Sequence, residues 1–173
     1  IDKHIEMAIN AKKHILNPRN IEIANIGSPI NTASEESVPV VLPNGKGMFF
    51  TSRREGGFSN DKDFKGNYFQ DIYFSEYKNH EWQTVFNEKA FNSKLNDGCV
   101  SISHDGSTLI SYIITDNSSK STPSSTSDLY YSNYSDSTLW TAPIKFGGTI
   151  NSEYQELSAC FSVDKKTLYF SSN

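Results

Sequence analysis

Three segments of this chain are versions of one another. Residues 150–172 read INSEYQELSACFSVDKKTLYFSS; residues 30–52, INTASEESVPVVLPNGKGMFFTS, and 91–111, FNSKLNDGCVSISHDGSTLIS, follow the same plan. Each has an apolar residue, Asn and Ser or Thr, then an acidic or polar connector, an apolar run, a two-residue turn and a second apolar run. Asn31, Asn92 and Asn151 are spaced by 61 and 59 residues; Asp71-Ile72-Tyr73 returns 57 residues on as Asp128-Leu129-Tyr130, and Trp82 returns 58 on as Trp140. One period near 60 fits them all. Repetition at such a period means an array of stacked supersecondary units, none of which can bury its apolar face alone.

Inside each unit apolar residues alternate with a period of 2, in short runs rich in Val, Ile, Phe, Tyr and Thr, which predicts strands. The first unit predicts strands over 37–42, 47–52, 71–77 and 81–86, the second over 99–103, 108–114, 128–133 and 139–142. The third begins with 157–161 and stops after its second strand. Asn44-Gly45 and Asp105-Gly106 supply residues that tolerate positive φ at both centres of a tight hairpin; Asp164-Lys165 keeps the turn without the Gly. Four antiparallel strands per unit, in tandem, predict an all-β fold. The architecture expected is a β-propeller of four-stranded antiparallel blades, about 30–90, 91–149 and 150–173, two full blades and part of a third. A closed ring has about four to eight blades, so the remainder is expected from elsewhere in a longer chain. Trp82 and Trp140 fall on the outermost strand of their blades, where packing between neighbours explains one Trp per unit.

Ahead of the repeats, Ile5, Ala8, Ile9, Lys12, Ile15 and Leu16 fall near helical spacing, which predicts one amphipathic helix over 2–16. Asn17-Pro18 ends it, because the residue before proline avoids the helical region. Its apolar stripe needs a partner, either the domain that follows or an upstream helical array. His4 and His14 share nearly one face of it and read as a solvated pair. The 16 Lys and Arg and 20 Asp and Glu, net −4, are scattered along the chain, which gives no electrostatic footprint for nucleic acid. Nothing approaches the roughly 20 apolar residues of a membrane span, and no signal peptide opens the sequence. Cys99 and Cys160 lack metal-ligand spacing and occupy non-equivalent positions in the repeat, so two buried free thiols are expected rather than a disulfide.

The combination I-N-[ST], an acidic connector, S-x-D-G-x-x-L, D-[IL]-Y-x-S and W-x-x-P resembles the TolB-like, WD-repeat-like propeller repeat. The Asn17-Pro18 helix end, the N-I-G-x-x-I-N-T run from Asn25 to Thr32 and the F-T-S-R-R run from Phe50 to Arg54 narrow the resemblance. Together they look like the repeat region of OmpA-family and type IX secretion-associated cell-envelope proteins of Bacteroidetes-type bacteria. The resemblance spans roughly residues 5–173. It implies that residues 1–17 end a tetratricopeptide-like region and that 18–173 are a partial TolB-like propeller. It also implies a periplasmic, outer-membrane-associated protein with protein partners in the cell envelope and peptidoglycan reached through another domain.

The richest polar cluster is the insert GGFSNDKDFKGNYFQD, residues 56–71. Asp61, Asp63, Gly66 and Asn67 echo the start of a calcium loop, but the position of the closing bidentate Glu falls on Ile72, and acidic loop solvation is the favoured reading over a metal site. Asp71 and Asp128 recur at the start of a strand, which fits a hydrogen bond within the blade better than acid–base catalysis. Ser103-His104-Asp105-Gly106 does not match the sialidase turn, and no G-x-S-x-G elbow is present. No catalytic, cofactor or metal residues are therefore assigned. The expected function is a non-enzymatic envelope protein whose propeller is a protein-binding or assembly scaffold; the alternative is the propeller portion of a secreted hydrolase acting on glycans or peptides.

In a four-stranded antiparallel blade the connection from strand two to strand three emerges on the same side as the link to the next blade. Both long inserts, 53–70 and 115–127, are connections of that kind, and the Asn31, Asn92 and Asn151 motifs lie beside the links. Binding residues concentrate on loops held by a rigid scaffold, so this face is the expected docking side. The first insert, with Phe58, Asp61, Asp63, Phe64, Tyr68 and Phe69, is the candidate partner-binding loop.

Overall fold

The alternating runs do form strands, and their pairing divides the chain into three successive antiparallel sheets. The computed structural model describes residues 2–63, 65–116, 125–135 and 139–173. Sheet 1 joins β1 (Glu36–Val41), β2 (Gly47–Ser52) and β3 (Asp71–Lys78), with two short segments, β4 (Glu81–Trp82) and β5 (Phe86–Asn87), both paired to β3. Sheet 2 repeats this with β6 (Asn96–Ile102), β7 (Thr108–Asp116), β8 (Ser125–Ser135), β9 (Leu139–Trp140) and β10 (Ile144–Lys145). Sheet 3 is the hairpin of β11 (Ser158–Phe161) and β12 (Leu168–Ser171). The first strands are neighbours in space, β6 lying against both β1 and β11. The helix α1 (Asp2–Leu16) falls where its spacing placed it.

Two local features differ from expectation. The outer row of each larger sheet is broken, where one strand was expected over 81–86 and over 139–142. In sheet 1 the break begins at Gln83, whose N–H donates to the Glu76 carbonyl at 2.9 Å and whose side-chain amide donates to the carbonyls of Lys78 and Glu81, while Ser75 Oγ donates to its carbonyl at 2.8 Å. The hairpin turns differ as well. Gly45 and Gly106 have positive φ (69° and 74°), but Asn44 and Asp105 do not. Instead Gly45 N–H donates to Leu42 O and Leu42 N–H to Gly47 O, a helical-type turn closed by one left-handed residue. The third turn has the same bonds, with Lys165 at φ 59° in the glycine's place.

The inner strands carry a shared irregularity that no pattern predicted. Register shifts between Ser37 and Val40 in β1 and between Cys99 and Ser101 in β6, so both copies are bulged at matching places. A bulge bends and twists a strand, and it accommodates Pro39, which could not donate to a regular ladder. The second insert is shorter than expected, since β7 pairs with β8 as far out as Asp116 and Ser125; its residues 117–124 lie outside the described residues.

Between sheets the core is continuous. Val40, Phe49 and Ile72 of sheet 1 meet Cys99 and Leu109 of sheet 2 around Phe91. Ile110, Tyr112 and Leu129 from the other face of sheet 2 meet Ala159 of sheet 3. The outward face of sheet 1 is covered differently: Met48, Phe50 and Tyr73 lie under Ile30, and the Arg54 guanidinium rests 5.0 Å from the Phe50 ring and 4.9 Å from that of Tyr73.

Both cysteines are free, but only Cys99 is buried; Cys160 is exposed, correcting the expectation of two buried thiols. It alternates along β11 with buried Ala159, so the pleat turns it away from sheet 2. Helix α1 contains no buried residue, and Ile5, Ile9, Ile15 and Leu16 are all exposed, so its stripe does not bury itself against the sheets. Among the described residues no helix is long and apolar enough to cross a membrane.

Candidate functional site

The recurring motif residues are brought together at the joints between sheets. Asn92 Oδ1 accepts the Ile72 N–H at 2.7 Å, and its amide donates to the Ile72 carbonyl at 2.9 Å. Asn151 does the same to Leu129, at 2.7 and 3.0 Å. Each Asn thus clamps the third strand of the preceding sheet, and Asp97 N–H to Gln70 O (2.8 Å) and Glu156 N–H to Ser127 O (3.0 Å) complete the link. The next motif residue serves the acid four positions on. Thr32, Ser93 and Ser152 donate both N–H and hydroxyl to Glu36, Asp97 and Glu156 respectively. Sequence reading saw only an acidic connector, although the constant spacing of four was available as a signal.

Asp71 and Asp128 are each held by bonds within the fold. Asp71 is buried and accepts the Phe58 N–H and the Asn87 amide, while Asp128 accepts Lys145 Nζ at 2.8 Å. Burial raises the Asp71 pKa against the pull of those donors.

The insert and the Asn motifs share one end of the sheets. Arg54 donates to the Ile30 carbonyl at 2.7 Å, and Gln70 N–H to Asn96 Oδ1 at 3.0 Å. Within the insert, Lys62 and Tyr68 form an antiparallel bridge, with Lys62 Nζ 4.3 Å from the Tyr68 ring centre, and Phe69 N–H donates to Asp61 O. Asp63 Oδ1 accepts the N–H groups of Lys65 and Asn67, at 2.8 and 3.0 Å. Burial opposes ionisation there, but those donors and Arg53 outweigh it and lower the Asp63 pKa. Asp63, the second acid of the calcium-loop echo, thus accepts two N–H groups of its own loop. Asp61, Asp63, Tyr68 and Phe69 therefore belong to one small folded loop. Phe58 is exposed and tethered by its N–H to Asp71; Phe64 lies outside the described residues. A Cβ on Gly57 would run into Asp71 Oδ2, so a glycine lets the loop close onto the sheet there. Beside the loop lies a polar hollow of about 310 Å³ lined by Glu35, Arg53, Asn67 and Tyr68.

A larger cleft opens at the opposite end. It measures about 630 Å³ and lies between sheets 1 and 2, bounded by the turns at Pro43-Asn44 and Asp105-Gly106. Its walls are Phe49, Phe74, Tyr134 and Trp140, and Glu76, Glu88 and Asp105 also line it. Sequence reading missed it, because Glu88 in a link and Trp140 in the next sheet meet only through the packing of Phe91 and Phe49 against that Trp, at 5.7 and 5.5 Å.

Comparison with family models, with curated proteins and with solved structures finds no match to this chain.

Proposed function

We propose that the chain is part of a TolB-like β-propeller that acts as a non-enzymatic, protein-binding or assembly scaffold in a bacterial cell envelope. In this reading it is periplasmic and associated with the outer membrane, and peptidoglycan anchoring or a place in type IX secretion comes through other domains. The observation that carries the reading is the repeated clamp of Asn92 on Ile72 and Asn151 on Leu129. It makes each unit the completion of the one before, which is the logic of a radial array. The polar residues that recur are committed to such bonds, and they leave the loops at the two ends free to differ and to bind.

Cell fractionation of the native host and particle imaging of the full-length protein test this directly. A closed ring in an envelope fraction is expected; an open stack of sheets, or a cytosolic protein, overturns it. Replacing residues 55–69 by a short Gly-Ser turn then tests the docking side. Loss of partners in a pull-down from envelope extract is expected, and full retention refutes docking through the insert.

A further inference from the structure

The cleft between sheets 1 and 2 combines two features that are rarely left idle together. Its walls are aromatic: Tyr134 meets Trp140 edge to face at 5.4 Å, and Phe74 meets Phe49 at 4.7 Å. Its charges are of one sign, since three carboxylates line it and, among the described residues, no Lys or Arg does. Two of those carboxylates have cations nearby, Glu76 with Lys78 at 2.5 Å and Asp105 with Lys165 at 3.2 Å. Glu88 is half-buried, and its carboxylate has neither an ion pair nor a hydrogen bond among the described residues. Burial alone raises its pKa, so the group stands in a place that a positive charge would relieve.

We propose that this cleft takes an arginine side chain presented by an extended segment of a partner protein, with the guanidinium stacked on the aromatic wall and hydrogen-bonded to Glu88. A guanidinium fits better than an ammonium. It is flat and weakly hydrated, it stacks on aromatic faces, and its paired N–H groups match a carboxylate in bidentate fashion. The volume is within the usual range for ligand pockets. The inference leans on the scaffold reading only in making the partner a protein, since sheets 1 and 2 build the cleft by themselves. A peptide titration therefore succeeds or fails independently of ring closure and of location.

The experiment is an NMR titration of the full-length protein with a capped Gly-Arg-Gly peptide, alongside its citrulline and lysine counterparts and a chito-oligosaccharide. Saturable shifts are expected at the Trp140 indole and at residues 42–45 and 105–107, with about tenfold tighter binding of the arginine than of the citrulline peptide. Glu88→Gln is expected to weaken binding about fivefold, and Glu76→Gln by less, because Lys78 already serves that carboxylate. Equal affinity for the citrulline peptide overturns the proposal, as do shifts confined to the insert end or a response to the oligosaccharide alone. Should Glu88→Gln unfold the chain, Glu88→Asp and the salt dependence of the wild-type titration decide; affinity insensitive to both is again a refutation.

Discussion

Sheets 1 and 2 are opened by the same motif, yet only the second motif has a sheet to grip. Asn92 holds both polar groups of Ile72, whereas Asn31 donates to Asn25 in the exposed segment just ahead of it, at 2.7 Å. Trp140 packs on Phe49 and Phe91 across the joint, while Trp82 leans on its own sheet and on Tyr77, 4.9 Å between centroids. The acids diverge most. Glu36 receives Thr32, the Ser52 hydroxyl and the Arg54 guanidinium; Asp97 is 0 % exposed and, among the described residues, receives only Ser93. Equivalent sequence parts thus acquire different energetic weight from what lies next to them.

The largest test of that contrast is at the tryptophans. Trp140→Ala is expected to cost about 3–5 kcal/mol, as for other large aromatics removed from a packed site. Trp82→Ala should cost about half as much, having no second sheet to leave unfilled. Equal losses of unfolding free energy in denaturant titrations would remove the neighbour from the explanation. A smaller difference separates the amides. Asn92→Ala orphans the Ile72 N–H, although the carbonyl keeps the Glu88 N–H at 3.1 Å, so a loss of about 1–3 kcal/mol is expected. Asn31→Ala should stay within about 0.5 kcal/mol.

Next comes pH. Burial pushes Asp97 up to about 7 from 3.8, against the Ser93 hydrogen bonds and with the Asp71 charge adding to the rise. A carboxyl whose folded pKa exceeds its unfolded one favours folding when protonated. Its contribution is therefore complete below about pH 4 and is lost as pH rises to about 7, on the order of 2–4 kcal/mol. Glu36 has the opposite sign. Burial raises it, but Thr32, Ser52 and Arg54 outweigh that and lower its pKa, so its contribution is present above the ordinary Glu range and is lost as pH falls through its folded pKa. In melting curves from about pH 2 to about pH 8, Asp97→Asn should flatten the neutral-side decline. Glu36→Gln should leave that decline and change only the acid side. Parallel changes in both variants would break the contrast.

Where the sequence was legible, the signal was either periodic or repeated. Helical spacing placed α1 at both ends, and alternation placed β2 residue for residue. What escaped was set by contacts across the repeat. The outer row breaks at Gln83, whose N–H and side-chain amide donate to three carbonyls of its own hairpin, and no propensity encodes those bonds. The bulges at Val38-Pro39 and Val100 fall where no alternation in the sequence marks them. The insert was recognisable as a loop from composition, and its internal bonds confirm a folded loop. The aromatic cleft was not, because its members are scattered from Leu42 to Trp140 and share no motif.

The smallest expected effect concerns the third turn, where the second and third copies differ by a single substitution of role. Gly106 and Lys165 occupy the same left-handed position, at φ 74° and 59°. A side chain there costs about 1 kcal/mol that glycine avoids. Lys165 offsets the strain by reaching back to the neighbouring turn, its Nζ 2.7 Å from Ser107 Oγ and 3.2 Å from Asp105. That contact is exposed and is screened by salt, whereas backbone strain is not. Lys165→Gly should therefore raise the melting temperature slightly, and more so at high salt than at low. A lower melting temperature at high salt would mean that the lysine stem, rather than its charge, ties the third turn to the second.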